Sequence, residues 1–92
     1  MIQITAIRQQ GGQGHEHISE VQWRNTSTGQ AGQSTRQAIV DWLSESRANQ
    51  AVVADGVQWV YVAVRRPASQ QPYIQTHADE KWTDNLLALP PF

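Results

Sequence analysis

One stretch constrains this chain more than any other: AVVADGVQWVYVAVRR, residues 51–66. Asp55-Gly56, set between two runs rich in β-branched and aromatic residues, is a strong signal for a tight hairpin. The second arm, from Val57 to about Arg66, is apolar on both faces. Val60, Val62 and Val64 share one side, and Val57, Trp59, Tyr61 and Ala63 share the other. A strand of that kind lies inside a sheet and needs cover on both sides. The rest of the chain has to supply it.

Other runs offer sheet neighbours. Residues 2–8, IQITAIR, read as a β-branched strand, and residues 17–24, HISEVQWR, as another. In the second run Val21 and Trp23 are in phase and Ile18 is out of phase, which predicts a bulge or a late start of the strand. Residues 24–33, RNTSTGQAGQ, are polar and glycine-bearing without period, and read as a flexible connection. A helix follows in STRQAIVDWLSESR, with Ser34 as N-cap, Gln37 as its capping-box partner, and Ile39, Trp42 and Leu43 on the inward stripe. After the proline-bounded loop RPASQQP, residues 66–72, Tyr73 to Thr76 form a short last strand. The expected fold is α+β: one domain over residues 1–92, an antiparallel sheet of about five strands that can curl toward a barrel, one main helix and a short C-terminal helical turn.

A single helix covers one sheet face. The other carries Trp59 and Tyr61, joined by Trp23 or Tyr73 from neighbouring strands. The tail HADEKWTDNLLALPPF, residues 77–92, holds Trp82, Leu86, Leu87 and Leu89, each contributing ~1.5–3 kcal/mol if buried. The economical expectation is that the tail folds over the aromatic face, with Thr83 or Asp84 capping a turn from Asn85 to Leu89 and Pro90-Pro91 ending it. In the competing reading the face stays open and stacks bases or peptide side chains, with Arg24, Arg65 and Arg66 as phosphate contacts.

The strand around Val21 and Trp23, the Ser34 to Leu43 helix start, the Asp55-Gly56 hairpin and the tail together resemble a family of short bacterial proteins catalogued as a domain of unknown function. The likeness spans nearly the whole chain. Its most specific part is TxADxxxTDNLLALP, here Thr76 to Pro90. The family carries a glycine where this chain has Glu80, which puts the turn after Asp79 in question. The resemblance implies no catalytic or binding residues.

Composition removes several function classes. Seven Lys and Arg against eight Asp and Glu give a net charge of −1, so no overall field draws phosphate backbones or acidic membranes. With no cysteine, disulfides, thiolate nucleophiles and Cys-based zinc sites are excluded. The start MIQITAIRQQ lacks the basic and apolar parts of a secretory signal, and no apolar run approaches the ~20 residues of a membrane span. A soluble, cytoplasmic protein is expected.

Few residues are spaced for chemistry. His15-Glu16-His17 on a strand would place both imidazoles on one face, and His77 with Asp79 could add ligands at the same spacing, a weak metal candidate. STGQAGQS, residues 27–34, precedes a helix but lacks the lysine and first glycine of a phosphate loop. No G-x-S-x-G occurs, and Asp79, Glu80 and Asp84 read as turn and helix-start charges. The expectation is a non-enzyme without cofactor, an interaction module for a protein or peptide partner. The alternative is single-stranded nucleic acid on Trp59, Tyr61, Arg65 and Arg66. Further candidate binding residues are His77, Asp79, Asp84 and Asn85.

Overall fold

The computed structural model describes residues 1–92. Its strands are β1 (Ile2–Gln9), β2 (Ile18–Asn25), β3 (Ala31–Thr35), β4 (Ala51–Asp55), β5 (Gln58–Arg65), β6 (Tyr73–Ala78) and β7 (Lys81–Thr83), with one helix, α1 (Arg36–Glu45), between β3 and β4. All seven strands form one sheet in the order β3-β2-β1-β4-β5-β6-β7. No helix is long and apolar enough to cross a membrane.

This corrects the expected α+β sheet of about five antiparallel strands: the sheet has seven, and it is mixed. Strands β1 to β3 form one antiparallel meander and β4 to β7 another. They join where β1 runs parallel to β4, through Ile2 opposite Ala51 and Gln3 opposite Val52. Parallel neighbours need a crossover, and α1 is that crossover. The order is open, with β3 and β7 as its edges. Residues 31–33, expected as the end of the flexible connection, belong with Ser34 and Thr35 to strand β3: Gly32 and Ser34 pair with Trp23 and Val21. A Cβ on Gly32 would lie 2.7 Å from the Trp23 ring, so a glycine there lets the indole lie across the neighbouring strand.

Local sequence explains the remaining punctuation. Between Arg8 opposite Glu20 and Gln9 opposite Ile18 the register slips, leaving Ser19 as the extra residue of a bulge. The slip turns Ile18 into the core, where it is fully buried. Helix α1 is capped by Thr35, one residue later than expected, whose hydroxyl accepts from the Ala38 N–H at 3.2 Å. Ser34 instead accepts the Trp23 indole N–H at 3.0 Å. In the hairpin, Asp55 pairs with Gln58 and the turn is Gly56-Val57, with Gly56 at φ 62, the φ pattern of a type II′ turn.

The tail does not cover the aromatic face. Leu86 is fully buried in the same core as Ile39 and Val40 of α1, with Ile2, Ile4, Ile7, Val21, Val53, Val62 and Ile74, and Leu87 and Leu89 pack against it. Residues 84–89 form successive turns, with hydrogen bonds from Leu87 N to Asp84 O, Ala88 N to Asn85 O and Leu89 N to Leu86 O. The chain then runs alongside β1: Ile7 N–H donates to Pro90 O at 3.1 Å, and Phe92 N–H donates to Ile7 O at 3.2 Å. Strand β1 pairs with β4 only at its start, so its further backbone groups on that side are open to the tail. Arg8 fastens the end by donating to the Phe92 carbonyl at 3.1 Å and lying over its ring at 4.5 Å.

Candidate binding face

On β5 the alternation of side chains separates two environments. Val60 and Val62 are buried, whereas Trp59 and Tyr61 keep 47% and 51% of their surface exposed. Directly paired residues share a face. Tyr61 pairs with His77, His77 pairs with Trp82, and Arg65 pairs with Tyr73. Trp59, Tyr61, His77, Tyr73, Arg65 and Trp82 therefore stand on the side away from α1. Trp82 is 40% exposed. Expected as part of the cover, it belongs to the uncovered face.

The strip is internally braced. The His77 and Trp82 rings meet edge to face with centroids 4.8 Å apart. The Arg65 guanidinium lies 4.7 Å from the Trp82 ring centroid and 5.8 Å from that of Tyr73, and donates to Gln75 Oε1 at 3.0 Å. Arg66 points elsewhere, donating to Ser44 Oγ of α1 at 2.7 Å. Arg65 and Arg66 therefore do not form one charged patch. Trp23, a candidate for this strip, packs against the core on the other side.

The polar part of the tail serves a second purpose. Thr76 Oγ1 donates to the Thr83 carbonyl at 3.0 Å and accepts from the Asn85 N–H at 3.2 Å. Thr83 Oγ1 lies 2.7 Å from both Thr76 Oγ1 and Asn85 Oδ1 and shares its proton between them. Asn85 Nδ2 donates to Asp55 Oδ2 at 3.2 Å, tying the tail to the β4–β5 turn. These bonds hold the chain where it leaves β7, so Asn85 positions the turn that buries Leu86. Asp79 and Glu80 are the two residues between β6 and β7, with φ 53 and φ 63, the φ pattern of a type I′ turn.

The three histidines do not converge on a metal. His15-Glu16-His17 is a 3₁₀ turn rather than a strand. His15 is buried with Nε2 unpartnered, His17 Nδ1–H donates to the Gln10 carbonyl at 3.1 Å, and His77 sits against Trp82. No group of three His, Cys, Asp or Glu side chains could hold a metal ion. Burial lowers the His15 pKa below its ordinary 6.5, Arg65 adds to that effect, and Asp84 and Glu16 oppose it. The spacing of H-x-H carries no sign of this burial; it follows from the 3₁₀ turn packing beside β6.

A separate groove of about 340 Å³ lies between α1 and the first meander, walled by Trp23, Ile39, Trp42 and Ile2. It contains no titratable side chain.

Fold and site together describe a small β-rich scaffold with one crossover helix and an uncovered aromatic strip. The model of the family described as "Protein of unknown function (DUF3892)" matches residues 3–90, and the chain belongs to that family. No curated protein matches the chain, and no solved structure matches it.

Proposed function

We propose that this chain is a non-catalytic interaction module that takes an extended protein or peptide segment across the aromatic face of β5, β6 and β7. One observation carries the reading: Trp59 and Tyr61 of β5 and, across His77, Trp82 of β7 stand exposed on one side of strands whose other side supplies the buried core. Aromatic residues are the usual anchors of binding surfaces, because a large rigid ring buries much area for little lost freedom. A strip on three antiparallel strands offers successive rings to alternate side chains of an extended partner.

Single-stranded nucleic acid is the second reading, since exposed rings also stack bases. The charges favour the peptide. Arg66 is engaged with α1, Arg65 is already stacked on Trp82, and Asp79 and Glu80 border the strip. Of the three candidate arginines, Arg24 alone is exposed without a partner, and it stands on β2, three strands from β5, so a phosphate backbone on the strip would find no free cation beside the rings.

The test is a titration of isotope-labelled protein with short peptides and with single-stranded oligonucleotides, following the indole N–H signals of the four tryptophans. The expected result is movement of the Trp59 and Trp82 signals with peptide, while Trp23 stays fixed. Movement with oligonucleotide alone would replace the peptide reading.

A further inference from the structure

Within the aromatic strip, one ring system is already satisfied and another is not. Trp82 and Tyr73 share the Arg65 guanidinium. Trp59 and Tyr61 have no such partner, although both are about half exposed. The register shows what stands next to them. Tyr61 pairs with His77, so two residues further along, past the end of the ladder, Trp59 comes level with Asp79. The β6–β7 turn, Asp79-Glu80, thus borders the Trp59 end of the strip, and both of its residues are exposed. The Arg8–Glu20 ion pair and the contact of the His17 ring with Glu16 involve neither carboxylate. Lys81 pairs with Ala78, one residue out of step with Trp82, and so stands on the opposite side of β7.

We infer that the partner segment is basic, placing an arginine or lysine side chain over Trp59 and Tyr61 beside the Asp79-Glu80 turn. The inference rests on the peptide reading of this face and adds the chemistry of its ligand. A cation held there meets a ring face on one side and carboxylates on the other, both favourable to positive charge. The same face uses that chemistry internally, with Arg65 as the cation over Trp82. At its Arg65 end the strip is positive and would repel a second cation, so the basic side chain is directed to the Trp59 end.

The test compares three short peptides identical except for arginine, glutamine or glutamate at alternate positions, titrated into labelled protein. The arginine peptide is expected to bind about tenfold more tightly than the glutamine peptide, shifting the Trp59 indole most. The glutamate peptide should bind most weakly, and added salt should weaken only the arginine peptide. Asp79→Asn combined with Glu80→Gln should reduce the arginine preference to about threefold, and Trp59→Ala should abolish it. The asparagine retains a residue tolerant of the left-handed backbone, so the paired variant keeps the test available if Trp59→Ala misfolds. Equal binding of arginine and glutamine peptides at this face would overturn the basic-partner inference and leave the peptide reading standing. If no peptide shifts the Trp59 or Trp82 signals, both fall.

Discussion

Strand β5 meets two different surroundings on its two faces. Val60 and Val62 look into a core closed by α1 and the tail, while Trp59 and Tyr61 look outward from the same backbone. An apolar side chain specifies that a face prefers cover, but it does not say which covering element reaches it. Here both available covers, Ile39 and Val40 of the helix and Leu86 of the tail, go to the same side. The other side is left with Trp59 and Tyr61 open to a partner and with Trp82 held in place by Arg65 and His77.

That contrast can be broken most strongly at the tail. Leu86→Ala removes a fully buried side chain and should cost about 2–5 kcal/mol in urea unfolding. A loss below about 0.5 kcal/mol would place the tail outside the core and reopen it as cover for the aromatic face. Thr83→Ala removes the hydroxyl between Thr76 and Asn85 and should cost about 1–3 kcal/mol by the same measurement.

Glu80→Gly should go in the other direction. Glu80 occupies a left-handed conformation at φ 63, which disfavours a side chain. The glycine should raise stability by up to about 1 kcal/mol, the left-handed relief being partly offset by added freedom of the unfolded chain. A loss of stability would show that the carboxylate has a partner in the folded protein. Trp59→Ala should be the smallest change, within about 0.5 kcal/mol, as for a surface position. A cost like that of Leu86→Ala would mean that the aromatic face is covered after all.

His15 tests the core from another direction, through pH. Its folded pKa lies below 6.5, so between the two values the unfolded chain binds more protons than the folded one. The contribution of His15 to stability is therefore complete above about 6.5 and declines as pH falls toward the folded value. His15→Leu should flatten that part of a stability profile measured from neutral to mildly acidic pH. An unchanged slope would assign it to other groups.

The hairpin and the helix were readable because each depends on nearby residues: Gly56 at a turn that needs positive φ, and Ile39, Trp42 and Leu43 at helical spacing. The irregularity at Ile18 was readable too, since it stood out of phase; of the two readings, bulge or late start, the extra Ser19 makes it a bulge that brings Ile18 inward. Strand β3 was not, because AGQST has weak strand character and is ordered by pairing with β2 and by the Trp23 ring over Gly32. The parallel junction of β1 with β4 was hidden for a similar reason: a contact across almost fifty intervening positions leaves no local period. At the site, Trp59 and Tyr61 were legible as an apolar face in need of explanation. The placement of Trp82 beside them depended on the two-residue turn at Asp79-Glu80, whose second position lacks the expected glycine signal.

The most direct test of the open aromatic face is solvent exchange of the indole N–H hydrogens in the free protein. The Trp59 and Trp82 hydrogens should exchange rapidly, whereas that of Trp23, bonded to Ser34 Oγ, should be protected. Protection of Trp59 equal to that of Trp23 would contradict the account.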